Sequence, residues 1–172
     1  MWLFKKGRQR RKAAAKLYES VVEMARSPWL YTDAGVPDTL DGRFDSVSLH
    51  LALVMRRLKA EGPEGLAICT ELSSVFVTDM DRSVREIGVG DMSVGRHVTN
   101  MTQALYGRMK AYEAAFEQAD VDQAMTEALA RNVFRGEPPE NHDMAPLVAY
   151  VVSKNKAIIS VQKDRLLEGD LS

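Results

Sequence analysis

Apolar residues recur at every third or fourth position over long segments of this chain, which is the spacing of one face of an α-helix. The segment RFDSVSLHLALVMRRL carries one such stripe, and the segment that follows the break EGPEG carries another. No segment alternates apolar and polar residues convincingly enough to predict a β-strand. The two stripes are formed by Phe44, Val47, Leu51, Val54 and Leu58, and by Leu66, Cys69, Leu72, Phe76, Met80, Val84 and Ile87.

Capping residues and helix breakers mark the ends of these segments. Pro63 suits the first position of a helix, and Gly88 suits a left-handed turn at a helix C-terminus. Asp91 or Ser93 is expected to cap the next helix, and Asp120 the one after it. With Gln123 three residues further on, the last of these resembles a capping box.

The pattern as a whole predicts an all-α fold, a single-domain bundle of about six amphipathic helices. Parallel βαβ units are absent from the pattern, which excludes a doubly wound sheet. The segment 27–42 has two prolines and two glycines and is expected to be a long loop. The last helix is expected to run from near Asp143 to Gly169.

Charged residues are distributed unevenly along the chain. Seven of the 23 basic residues precede the first acidic residue, Glu19, which leaves 16 basic and 24 acidic residues in the remainder. We therefore divide the chain into a basic amphipathic arm, residues 1–12, and a helical domain, residues 13–172. Such an arm is suited to polyanions or to anionic lipid headgroups. The arm residues expected to make this contact are Trp2, Leu3, Phe4, Lys5, Lys6, Arg8, Arg10, Arg11 and Lys12.

The stretch DRSVREIGVGDMSVGRHV holds three glycines within eight positions, Gly88, Gly90 and Gly95. A dinucleotide-binding loop requires a preceding strand and a third glycine at the position that Ser93 occupies here. Because the preceding segment has the helical period, we interpret the stretch as a corner between two helices. In that interpretation Gly95 permits close packing.

The charges that lead into this corner lie at helical spacings. Asp79, Arg82 and Glu86 share one face, and Asp81 and Arg85 form a second pair. One interpretation is a solvated face with local ion pairs, each worth a few tenths of a kcal/mol. The alternative is a surface that recognises a partner protein.

Nothing in the sequence assembles a catalytic or metal site. Cys69 is the single cysteine, so no intramolecular disulfide can form, and a reducing, cytoplasmic location is expected. The three histidines, His50, His97 and His142, have no ligand spacing, although two histidines on facing helices can ligate haem. No serine or cysteine stands in a nucleophile motif. We predict that the chain is not an enzyme and has no metal and no cofactor.

Two features bear on association with membranes. No apolar run approaches the roughly 18 to 20 residues that cross a bilayer, so a soluble or peripheral cytoplasmic protein is expected. With its basic arm, a peripheral location on the cytoplasmic face of the inner membrane is the expectation. The nine methionines lie mostly on the apolar stripes. They are suited either to filling the core or to lining a groove that adapts to apolar client helices.

Three segments resemble the ubiquinol–cytochrome c chaperone family. They are DTLDGRFDSVSLHLALVMRRL, DMDRSVREIGVGDMSVGRHVTNMTQALYGR and LARNVF, and the resemblance covers roughly Leu17 to Phe134. The run D-R-S-x-R-E-x-G-V-G-D is the most specific part. The resemblance raises eight residues as candidates for partner binding: Asp79, Asp81, Arg82, Arg85, Glu86, Gly88, Gly90 and Asp91.

Membership of that family implies an all-helical assembly chaperone for respiratory complex III. Its client would be newly made cytochrome b, held for haem insertion and assembly. Mitochondrial members also work with a small partner subunit and associate with ribosomes, so the ribosome is a second possible partner; no DNA partner is expected. The alternative function is a ribosome- or RNA-binding adaptor at the membrane surface, with no direct client, that uses the same basic arm.

Overall fold

The structure is a computed structural model that describes residues 2–140 and 142–172, with side chains described from residue 6 onward. Over these residues it contains eight helices and no strand, so the all-α prediction is confirmed. Six of the helices are longer than two turns. The helices are α1 (Trp2–Ala25), α2 (Pro28–Thr32), α3 (Leu40–Lys59), α4 (Pro63–Glu86), α5 (Asp91–Phe116), α6 (Val121–Asn132), α7 (Ala145–Ser160) and α8 (Lys163–Leu167).

Helix α3 forms the centre of the bundle. Thirteen of its 20 residues are buried, which leaves it without the broad polar face of a surface helix. Helices α1, α4, α5 and α7 all pack against it. The stripe from Phe44 to Leu58 that the sequence shows is therefore only part of its buried surface.

Several predicted helix ends are confirmed. Pro63 stands in the first turn of α4, and the carboxylate of Asp120 accepts a 2.9 Å hydrogen bond from the backbone N–H of Gln123 at the start of α6. The reciprocal half of a capping box is missing, because the Gln123 side chain donates to Glu127 instead.

Two predicted boundaries are wrong. The segment 27–42 holds the short helix α2, which buries Leu30. The last predicted helix is interrupted at Val161, whose backbone is extended. Arg57 explains the interruption: its guanidinium donates to the carbonyl oxygens of Ile159, at 3.3 Å, and Val161, at 3.1 Å. The side chain thus replaces intrahelical partners where α7 ends.

The basic arm is helical from Trp2 onward and continues without a break into the rest of α1. The side chains of Trp2, Leu3, Phe4 and Lys5 lie outside the described part of the structure. Among the described residues, no helix is both long and apolar enough to cross a bilayer.

His50 is a buried histidine of the core, on the apolar face of α3. Its Nδ1 lies 2.8 Å from the carbonyl oxygen of Ser46, and its Nε2 lies 2.8 Å from the hydroxyl of Tyr150 on α7. Because a carbonyl can only accept, Nδ1 carries the proton and Nε2 accepts from the tyrosine. Burial lowers the pKa of His50 to about 4.

This depressed pKa predicts an acid-dependent loss of stability. The folded state resists protonation of His50 while the unfolded state takes up the proton near pH 6.5, so stability falls as the pH drops below that value. The His50 contribution between pH 7.5 and pH 5 is about 2 kcal/mol. Chemical denaturation of the wild type and of His50→Gln at several pH values measures it, and the variant should show a shallower dependence.

His97→Gln is the matched control, since His97 is exposed on α5. It should keep the wild-type pH dependence. Identical slopes for the wild type and His50→Gln would contradict the assignment.

Candidate functional site

The α4–α5 corner, residues 79–98, is shaped by its first glycine. Helix α4 ends at Glu86, and Gly88 adopts a φ of 84°, in the left-handed region. The N–H of Gly88 donates to the carbonyl of Arg85 at 3.0 Å, and that of Val89 to the carbonyl of Val84 at 3.4 Å. These two bonds form a Schellman motif, so the prediction for Gly88 is confirmed.

The start of α5 differs from the prediction. Gly90, with extended backbone, is the N-cap residue, and neither Asp91 nor Ser93 caps the helix. Asp91 is the first helical residue, and its carboxylate lies 2.7 Å from the guanidinium of Arg85. An acidic group in the first turn is also favoured by the helix dipole.

The predicted packing role of Gly95 is wrong. A Cβ atom at this position would meet nothing within 4 Å, and the residue is exposed. A glycine inside a helix is less stable than alanine by roughly 0.5–1 kcal/mol, and no contact in the described structure requires it here.

The charged residues of the corner fall into two groups. In the first, Arg85 stands between two carboxylates: its Nε lies 2.7 Å from Asp81, and its Nη1 lies 2.7 Å from Asp91. The hydrogen bond and charge of Asp81, with a smaller effect of Asp91, raise the pKa of Arg85. This group links the end of α4 to the start of α5 at the surface.

The second group lies on the side of α4 that faces α1. Arg82 Nη2 lies 2.5 Å from Asp79, and its Nε lies 3.9 Å from Glu86. The hydroxyl of Tyr18 on α1 donates a 2.8 Å hydrogen bond to the other oxygen of Asp79. Burial, and then Asp79, raise the pKa of Tyr18 far above its usual value. Asp79 thus joins α4 to α1, whereas Arg82 and Glu86 are largely exposed.

Two apolar side chains at the corner are exposed to solvent. Ile87 is 56% exposed and Met92 is fully exposed. Beneath them a small separate core is formed by Val84, Val94 and Val98. The sequence placed Ile87 on the buried stripe of α4, but that helix ends one residue earlier. Met92 is one of the nine methionines for which the sequence allows either core filling or a client groove, and it does not fill the core; its spacing of only two residues from Val94 indicates that it leaves the stripe.

The histidine, cysteine and acidic side chains of the described residues bear on metal and catalytic chemistry. In residues 2–140 and 142–172, no three histidine, cysteine or acidic side chains are grouped as metal ligands would be. Both ring nitrogens of His50 are occupied by protein partners, which argues against haem ligation by this residue. Cys69 is buried, and burial raises the pKa of its thiol to about 11, so a reactive thiolate is disfavoured. The corner offers ion pairs and apolar contact, which suit binding.

Comparisons with known proteins point to one family. A family model described as ubiquinol-cytochrome C chaperone matches residues 32–172. The ubiquinol-cytochrome-c reductase complex assembly factor 1 of Xenopus laevis is 23% identical over 160 residues, which cover 92% of this chain and 79% of that protein. The human protein of the same name is 26% identical over 161 residues, 93% of this chain. The match spans 53% of the human protein, so this chain corresponds to about half of that relative.

A solved structure agrees with these matches. The crystal structure of the Cbp3 homolog from Brucella abortus superposes with a TM-score of 0.85 at 33% identity, covering 99% of this chain and 94% of the other. The family match continues to residue 172, beyond the segment from Leu17 to Phe134 in which the sequence motifs show the resemblance.

The geometry of the corner predicts opposite effects for two identical substitutions. Gly88→Ala should lower the free energy of unfolding by about 1 kcal/mol, because an L-residue is strained in the left-handed conformation. Gly95→Ala should raise it by roughly 0.5–1 kcal/mol, because alanine favours the helix and meets open space. Denaturant midpoints at constant m-value measure both, and a shift of the same sign in both variants would contradict the assigned backbone conformations.

Proposed function

The chain belongs to the ubiquinol-cytochrome C chaperone family, and we propose that it assists the assembly of respiratory complex III by binding newly made cytochrome b at the α4–α5 corner. It acts in this proposal by binding and release, without catalysis. The proposed role in assembly rests on the match to this family. The exposed Ile87 and Met92, set among exposed charges, support the choice of the corner.

The chemistry of the corner is suited to the ends of transmembrane helices. Such helices are apolar, and their cytoplasmic flanks carry an excess of lysine and arginine. The corner presents two large apolar side chains together with the carboxylates of Asp81, Glu86 and Asp91. Gly88 and Gly90 add no side chains, so the apolar groups are not covered by their neighbours. A client segment with an apolar body and a basic flank would find both kinds of contact here.

The basic arm supports a proposed location at the cytoplasmic face of the inner membrane. Four of the basic side chains on the N-terminal half of α1 are exposed, those of Arg8, Arg11, Lys12 and Lys16. Each basic residue held near an anionic leaflet contributes about 1 kcal/mol of attraction. Lys6 and Arg10 instead border a cleft that also contains acidic residues. The acidic residues are Glu64, Asp164 and Glu168.

The charge reversal Asp81→Lys with Glu86→Lys tests the corner, because it removes carboxylates that the basic flank of the client would contact. Both carboxylates form exposed ion pairs, each worth about 0.2–1 kcal/mol, and the Tyr18–Asp79 hydrogen bond remains, so the fold should persist. In cells whose own copy has been deleted, the double variant should restore less mature cytochrome b and less complex III than the wild type. Circular dichroism and immunoblots measure the two effects.

Glu117→Lys with Glu127→Lys is the matched control, because both residues are exposed, at the end of α5 and on α6, away from the corner. It makes the same change in net charge and should restore complex III fully. Normal complex III in the corner variant would favour the solvated-face interpretation. Loss of helicity would show that these carboxylates are structural.

The arm is tested by replacing Trp2, Leu3 and Phe4 together with serine. Apolar side chains insert below lipid headgroups, whereas a tether to RNA or ribosomes depends on cations that this variant keeps. The wild type should sediment with anionic vesicles, and the triple variant should remain largely in the supernatant. Equal sedimentation of both proteins would show that electrostatic attraction alone holds the arm at the vesicle, without insertion of these side chains. Salt-sensitive copurification with ribosomes, without cytochrome b, would favour the adaptor alternative.

A further inference from the structure

An open groove runs along the surface between α1 and α4. The two helices point in the same direction, because Arg11 lies level with Glu71, at 3.5 Å, and Tyr18 with Asp79, at 2.8 Å. The groove has a volume of about 1050 Å³ and extends from Arg11 on α1 to Arg26, the residue after the end of that helix. At a rise of 1.5 Å per residue this is about 22 Å, or four helical turns.

The floor of the groove is apolar. Tyr18, Val22 and Val75 line it and pack from their inner sides against the main core. Ser74 and Thr78 also line it, but their hydroxyls donate to the backbone carbonyls four residues earlier, at 3.1 and 2.9 Å. Since these hydroxyls are already satisfied within their own helix, the groove demands few hydrogen bonds from an occupant.

The groove stays open because its walls are short. Ala15 on α1 and Ser74 on α4 are exposed and leave the space between the helices unfilled. A partly covered apolar strip of this length is suited to a third helix, which would pack against both walls as in a helix-in-groove complex.

The charges along the groove decide the character of the occupant. Arg11 is paired with Glu71, and Arg82 with Asp79. Within the described structure, the carboxylates of Glu19 and Glu23 take part in no ion pair, although they line the middle of the groove one helical turn apart. Arg26 is the third cation of the lining and lies at one end. The middle of the groove is therefore acidic.

We propose that the α1–α4 groove receives a basic amphipathic helix of a partner protein. The apolar stripe of that helix covers Tyr18, Val22 and Val75, and its lysines or arginines pair with Glu19 and Glu23. Anionic lipid or nucleic acid is disfavoured as an occupant because its phosphates would face these two carboxylates. The groove shares Asp79 and Arg82 with the corner but lies apart from its exposed tip, formed by Ile87 and Met92, so this proposal goes beyond the proposed role of the corner.

The test uses the full chain and a labelled 18-residue peptide with leucines on one helical face and lysines along one edge of that face. Fluorescence anisotropy gives its affinity. Ala15→Trp fills the groove from an exposed position and should weaken binding at least about tenfold. Glu19→Lys with Glu23→Lys should also weaken it about tenfold, with most of the change lost at high salt.

Matched variants control for nonspecific effects. Ala114→Trp adds the same side chain at an exposed alanine of α5, and Glu117→Lys with Glu127→Lys reverses the same charge outside the groove. Both should bind the peptide within about twofold of the wild type. Ser74→Trp fills the opposite wall and replaces Ala15→Trp if that variant loses helicity.

Several outcomes would overturn the proposal. They are absence of binding to the wild type, equal weakening by the groove variants and their controls, and equally tight binding of a peptide with glutamate in place of lysine. Unchanged peptide binding after the Glu19 and Glu23 reversal would also overturn it, since the two carboxylates would then have no part in recognition. None of these results depends on cytochrome b, so the corner proposal is tested separately.

Discussion

Helix α3 places polar side chains in the centre of the bundle, and the contacts of three of them with three different outer helices constrain how those helices are arranged. The buried Asp45 forms a 2.6 Å ion pair with Arg108 on α5, and burial raises its pKa to about 6 despite that cation. Ser46 donates to the last carbonyl of α1, and His50 binds Tyr150 on α7. Because an unpartnered buried polar group is costly, each contact favours one position of one outer helix.

Because these internal contacts hold the bundle together, the side chains on the outer face of α4 contribute little to its stability. Asp79 joins α4 to α1 through a hydrogen bond with Tyr18, and the ion pairs of Glu71 with Arg11 and of Arg85 with Asp91 lie at the surface. Arg82, Arg85 and Glu86 are exposed, and their ion pairs are of the kind that contributes little to stability. A surface that the fold does not require can be specialised for a partner, and α4 presents two such surfaces, the corner at its end and the groove at its side.

The sequence predicted the fold well because its signals are local. The apolar period and caps such as Pro63 and Asp120 depend on neighbouring residues alone, and the structure confirms them. The break at Val161 depends on Arg57, about a hundred residues away, and no local pattern reveals such a contact. The sequence identified the charged residues of the motif as one set. It could not show that they form two groups, one at the corner and one facing α1, because that division depends on the contact with Tyr18, which is distant in sequence. The groove could not be predicted from local patterns either, because it forms between α1 and α4, which are distant in sequence.

Three departures from local rules lie together at the corner, while others, such as the exposed Leu66 and the helical Gly107, are scattered over the described structure. Met92 is fully exposed where methionine usually fills a core, Ile87 is half exposed, and Gly95 weakens a helix without relieving any close contact. Each feature reduces stability or solubility slightly, and the described structure offers no compensating contact. In natural proteins such uncompensated departures are expected at functional sites, where another requirement outweighs stability. The corner carries the most specific motif of the family resemblance as well. These independent arguments, one from energetics and one from sequence, support the same segment as the place where a partner binds.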